Sequence, residues 1–124
     1  MSPVQLQKSL FLLESLGGEN LEDFYVFTPY NYGPFDSSIY RDADQLAEEG
    51  LVAIQKAQGQ RWNEYAATPA GLERAEELAS ELSPRIRGFL HRTVAWTRER
   101  SFEEIVRAIY KKFPEYRARS VFRY

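Results

Sequence analysis

Cysteine is absent from this chain of 124 residues. That excludes disulfides and thiolate metal sites, and nothing here argues for an oxidising compartment. Histidine occurs once, at His91. A lone imidazole leaves no His-x-x-x-His pair, and no Ser-His-Asp set can be assembled by spacing. A glycine-rich phosphate loop and a nucleophile elbow are both missing. The adjacent carboxylates Glu48-Glu49 and Glu76-Glu77 would point about 100° apart on a helix, which suits solvated faces rather than an acid/base pair. No catalytic residue, metal ligand or cofactor is therefore expected. No apolar run is long enough to span a bilayer. The opening Met1-Ser2-Pro3-Val4-Gln5 lacks the basic stretch and apolar core of a secretory signal. The expected location is the cytoplasm.

What is plentiful is apolar and aromatic surface, at 44% and 15% of residues. That suffices for one core, and the length fits a single domain over 1–124. The net charge of −2 hides a polarity. Residues 1–82 carry five basic against fourteen acidic side chains, and residues 83–124 carry eleven basic against four acidic. The two halves either attract each other within one fold or present a basic face to a partner.

Ser2, Pro3 and Gln5 form a capping box with proline at the first helical position, so a helix is expected over Pro3–Leu16. Its apolar face is Leu6, Leu10 and Leu13, widened by Phe11, Leu12 and Leu16. Gln7 and Lys8 fall on a solvated or turn-facing side and receive no chemistry. Phe24–Phe27 reads as a strand stopped by Pro29, and Tyr30–Phe35 as a turn. A second helix follows from Asp36 to Glu49, with Ile39, Ala43 and Leu46 inward. Leu51–Ile54 and Arg61–Ala67 make a hairpin around Gln58-Gly59-Gln60. Its tip should be exposed, with residues 57–60 dispensable. Thr68-Pro69 opens a helix facing inward through Leu72, Ala75, Ala79 and Leu82. Ser83-Pro84 opens another, with Ile86, Phe89, Leu90 and Val94 on one side. Ser101 and Glu104 form a capping box for a last helix, ended by Pro114. The tail from Tyr116 to Tyr124 is basic and aromatic.

Helix, strand, helix, hairpin, helix is the order of a winged helix with a shortened middle helix. The fold class expected is α+β: a winged-helix-like core over 1–82 with a two- to three-stranded β-wing, then a basic C-terminal helical extension over 83–124. Three stretches carry a family resemblance: Leu6-Gln7-Lys8-Ser9-Leu10, the Tyr32-Gly33-Pro34 motif within Phe27–Tyr40, and Glu48-Glu49-Gly50-Leu51 followed by Thr68-Pro69-Ala70-Gly71. Over about residues 5–72 the chain resembles the YwgA-like family and Panacea-domain proteins such as SocA-type antitoxins, and more distantly PadR-type winged helices. The resemblance implies toxin neutralisation or an adaptor role through a protein partner.

Two interaction surfaces follow. Tyr30, Asn31 and Tyr32, with Ser37, Ser38 and Arg41 of the second helix, would dock a protein, although the Tyr32-Gly33-Pro34 turn also reads as plain backbone geometry. The alternative is a nucleic-acid-binding regulator that uses Arg41, Gln45, Lys56, Arg61, Arg117 and Arg119. Asp36, Asp42, Asp44, Glu48 and Glu49 crowd the would-be reading helix and oppose insertion into a phosphate-lined groove. The basic residues of the C-terminal half alternate with aromatics that either pack the core or face a partner. The oligomeric state is left open.

Overall fold

A computed structural model describes residues 1–17 and 24–122 of the chain. Among these residues the fold is α+β, with five α-helices and two separate two-stranded antiparallel sheets. In order they are α1 (Pro3–Gly17), β1 (Thr28–Tyr30), β2 (Gly33–Phe35), α2 (Ser38–Glu48), β3 (Val52–Lys56), β4 (Asn63–Ala67), α3 (Pro69–Ala79), α4 (Pro84–Arg98) and α5 (Phe102–Lys112). A 3-10 turn, Pro114–Arg117, follows.

Local capping chemistry starts most of the helices. The Gln5 amide donates to the Ser2 hydroxyl at 3.3 Å and the Ser2 amide to Gln5 Oε1 at 2.9 Å. Thr68 and Ser83 each accept an amide of the first turn and precede a proline. Ser101 and Glu104 exchange both bonds of a capping box, which holds the Glu104 carboxyl below its ordinary value.

The core lies where α1 meets α4 and α5. Phe11, Leu12, Ile105 and Ile109 form its centre, and Phe27, Trp96, Phe113 and Tyr116 pack around them. Phe11 takes three edge-on contacts, from Phe27, Phe113 and Tyr116, at 4.9–5.3 Å between ring centroids. The basic C-terminal stretch thus supplies half of the core, and most of its described arginines are exposed. Arg100 lies 4.8 Å from the centre of the Trp96 ring.

Five expectations are corrected. Phe24–Phe27 is not a strand: the Phe24 and Tyr25 amides donate to Glu14 Oε1 and the Val26 amide to Asp36 Oδ2, so carboxylates take the place of a strand partner. The Tyr30–Phe35 turn is instead a hairpin, with Thr28 facing Phe35, Pro29 facing Pro34 and Tyr30 facing Gly33. Neither proline has an N–H to give, so the two can face each other only where the ladder asks for none. The inward face expected of α3 is not covered, since α3 has no buried residue and Leu72 is 58% exposed. Finally, Ala57 is buried and its amide donates to the Trp62 carbonyl, so the exposed tip of β3–β4 is Gln58–Gln60 and excludes Ala57. Likewise Leu6, Leu10 and Leu13 are only half-buried, and Phe11 and Leu12 take the core positions.

The wing, β3–β4, is anchored at its base. Thr68 donates its hydroxyl to the Gly50 carbonyl at 2.6 Å and its amide to the Leu51 carbonyl at 3.1 Å. Its hydroxyl oxygen also accepts the Gly71 amide. Gly71 is obligatory here, because a Cβ at that position would lie 1.9 Å from the Leu51 carbonyl oxygen. The Gly-Leu and Thr-Pro-Ala-Gly stretches are thereby two halves of one joint.

Candidate functional site

Gln7 and Lys8 of α1 are buried, 1% and 3% exposed, so the solvated reading of this pair is corrected and the turn-facing one stands. Gln7 makes a two-way bond with one backbone position. Its Nε2 donates to the Asp36 carbonyl at 2.8 Å, and its Oε1 accepts the Asp36 amide at 3.1 Å. Lys8 Nζ donates to the Pro34 carbonyl at 2.8 Å. Burial lowers the Lys8 ammonium to about 8. Gly33 adopts φ +105°, a conformation other residues avoid, and its open side lies against Tyr110 and the Lys8 stem.

Asp36 ties three segments together. Its Oδ1 accepts the Ser38 amide at 2.9 Å and the Ser38 hydroxyl at 2.7 Å, while Oδ2 accepts the Val26 amide at 2.8 Å. Burial pushes its carboxyl up, but these bonds and the nearby Arg41 charge outweigh that and hold it below its ordinary value.

The hairpin tip stands on this base. Tyr30 and Tyr32 are exposed, and so is Asn31 between them. Tyr30 stacks on Phe35 at 4.9 Å, and Tyr32 meets Phe102 edge-on at 5.0 Å. The Asn31 carbonyl accepts the Val121 amide at 2.9 Å and the Ser120 hydroxyl at 3.3 Å. Phe122 packs against Phe102. The C-terminal segment therefore folds onto the tip, and the two surfaces treated as rivals in the sequence are neighbours.

The other singled-out residues fall as follows. Ser37, the N-cap of α2, and Arg41 within α2 are exposed. Ser38 is half-buried, with its hydroxyl committed to Asp36. Gln45 is exposed further along α2, among Asp42, Asp44, Glu48 and Glu49, which are exposed too. Lys56 and Arg61 are exposed on the wing, which belongs to the other sheet. Arg117 and Arg119 are exposed on the segment that reaches the tip.

Sequence reasoning missed a trough of about 600 Å³ between α1, α2, the wing, α3 and α4. Leu6, Leu10, Leu46 and Leu72 line it. At its edge the Tyr25 hydroxyl donates to Asp42 Oδ2 at 2.6 Å. Burial and that carboxylate push the Tyr25 phenol upward. The half-filled leucine stripe of α1 was the available signal. A smaller hollow of about 280 Å³ lies at the edge of the contact of α1 with α4 and α5.

Among the described residues there is no cluster of His, Cys, Asp or Glu able to hold a metal ion. No helix among them is long and apolar enough to cross a membrane. No protein-family model matches this chain, and neither the curated proteins nor the solved structures yield a match.

Proposed function

We propose that the chain is a non-enzymatic, winged-helix-like interaction module that binds a protein partner in an antitoxin- or adaptor-like role. The docking surface is the hairpin tip, Tyr30, Asn31 and Tyr32, with Ser37 and Arg41 of α2. One observation carries this reading: the two tip tyrosines are exposed while the chain that follows them is held at Pro34 and Asp36 by Lys8 and Gln7. Exposed aromatic side chains on a fixed backbone lose little freedom on docking and supply both apolar area and a hydroxyl. The α2 carboxylates steer a basic partner and repel phosphate. The α1–hairpin–α2–wing–α3 order supports the winged-helix likeness.

The test is co-purification of the tagged chain with the products of neighbouring genes, using two paired variants. Tyr30→Ala with Arg41→Glu should weaken the complex about tenfold or more, consistent with loss of an interface anchor. Arg117→Glu with Arg119→Glu should weaken it less. The reverse order, with both proteins folded by circular dichroism, rejects the placement.

A nucleic-acid-binding reading is favoured by one observation, the folding of the Arg117–Arg119 segment onto the tyrosine tip. Arginines beside exposed aromatics suit single strands as well as proteins. Binding to duplex or single-stranded DNA at physiological salt, steeply weakened by added salt, supports that reading.

A further inference from the structure

We propose that the hollow between α1, α4 and α5 binds a small amphiphilic carboxylate, with the apolar body inside and the anionic head at Arg92 and Lys112. The site uses none of the hairpin-tip residues and goes beyond that reading.

The hollow follows from how the helices pack. α1 lies against both α4 and α5, while α4 and α5 make little contact with each other. Leu12 and Ile109, both from the centre of the core, line the hollow together with the half-buried rings of Phe89 and Trp96. An apolar body that covers such surface is favoured roughly in proportion to the area it removes from water. At about 280 Å³ the hollow lies at the small end of ligand sites, which typically hold about 300–1,000 Å³. A body of about ten carbon atoms suits that space better than a helix, whose row of side chains needs an extended groove.

Charge selects the head group. Arg92 of α4 and Lys112 of α5 line the hollow, and among the described residues no carboxylate does. Both cations are exposed, and neither makes an ion pair among the described residues. The carboxylates of α5 and its approach are engaged elsewhere: Glu99 lies by Arg100, Glu103 by Arg107, and Glu104 closes the capping box with Ser101. Gly88, in the interior of α4, leaves open the space that the Arg92 guanidinium takes, since a Cβ there would come within 2.9 Å of it. The larger trough differs, because Asp42 and Arg98 put both signs on its lining and Asp42 already accepts the Tyr25 hydroxyl. A carboxylate on an apolar body is the complement of an apolar hollow with two cations, which it meets through charge-assisted hydrogen bonds.

The experiment titrates the full chain carrying Trp62→Phe, which leaves Trp96 in the hollow as the only tryptophan, and follows its fluorescence. Decanoate is the probe. Decyltrimethylammonium keeps the tail and reverses the charge, acetate keeps the head without the tail, and all are used below micelle-forming concentrations. Decanoate should shift the Trp96 emission saturably and bind about tenfold or more tightly than either control. Arg92→Gln with Lys112→Gln should weaken it about tenfold or more. The same loss of charge at Arg85→Gln with Lys111→Gln, exposed and outside the lining, should leave binding unchanged. Ala108→Leu, which fills the hollow without altering charge, should weaken binding as well. Circular dichroism checks that each variant is folded. The absence of a saturable shift overturns the proposal, as does an equal response to decyltrimethylammonium. So does decanoate binding that survives either the Arg92 and Lys112 pair or Ala108→Leu in a folded protein. Saturable binding of an acidic leucine-stripe peptide in preference to decanoate also overturns it, in favour of a protein interface.

Discussion

The two hairpins differ in where they are held. The first, β1–β2, is gripped along its second strand by α1, whose Gln7 and Lys8 reach the backbone of Asp36 and Pro34. The wing, β3–β4, is gripped at its root, through Thr68, Gly50, Leu51 and Gly71, and midway along β4, where Tyr65 exchanges both backbone bonds with Met1, while its tip runs out into solvent. A hairpin of two strands is marginal in isolation, so each must borrow stability. The first borrows it from buried polar bonds and the second from a tight backbone joint and the pairing of Tyr65 with Met1. The first arrangement holds the strand directly behind the tip side chains, whereas the second holds the lower half of the wing and leaves its tip unsupported.

A large effect is expected at the root of the wing. Gly71→Ala would ordinarily stabilise a helix by up to about 1 kcal/mol. Here the new Cβ meets the Leu51 carbonyl oxygen, which cannot retreat without losing the Thr68 amide. Strain of this kind costs roughly 1–3 kcal/mol or more, so a net loss of about 2 kcal/mol should appear in urea denaturation. A stabilised variant would show that the joint is loose.

Lys8→Met tests the grip on the first hairpin through its pH dependence. The folded Lys8 ammonium sits at about 8 against an unfolded value of 10.5. Between these values the unfolded chain binds more protons than the folded one, so stability contributed by Lys8 rises with pH. Below about 8 the side chain is charged in both states and carries its full burial cost; that cost is lifted as pH climbs through the window. Wild type should therefore gain on Lys8→Met by roughly 3 kcal/mol at most between pH 8 and 10.5. Taking the difference cancels the tyrosines that titrate nearby, including Tyr40, Tyr65 and Tyr116, which burial pushes upward. A flat difference across the window would mean that Lys8 is solvated.

The smallest effect is expected at the far end of the wing. Replacing Gln58 and Gln60 by serine, with Gly59 and the buried Ala57 kept, should change stability by about 0.5 kcal/mol or less. A loss much above that in a thermal melt would tie the tip to the body and erase the contrast between the hairpins.

What was legible in the sequence was local. Ser2 with Gln5, Thr68 with Pro69, and Ser101 with Glu104 are within a turn of each other, and their bonds are as expected. What was not legible depends on distant partners. Phe24–Phe27 has the composition of a strand, yet its amides find Glu14 and Asp36 side chains 10 or 11 residues away. Gln7 and Lys8 look like solvated helix residues because their acceptors lie 29 and 26 residues ahead. At the candidate site, the exposure of Tyr30 and Tyr32 could be inferred from a proline-bounded turn. The bond from Val121 to Asn31 could not, because no periodicity connects a tail to a hairpin tip. The trough was hidden for a related reason, since spacing shows which leucines share a face but not whether anything covers it.

The placement of the core has a consequence for synthesis on the ribosome. Phe11 emerges early, but the residues that bury it, Ile105, Ile109 and Phe113 among them, are made about a hundred residues later. At roughly 5–20 residues per second, α1 waits on the order of 5–20 s with its apolar side uncovered. During that interval the nascent first hairpin has its α1 anchors available, but neither the Val121 amide nor the α5 side chains that back its tip. The tyrosine surface is thus completed only once α5 and the segment behind it have closed over α1, so a truncated translation product would display the tyrosines without the backing that holds them in place.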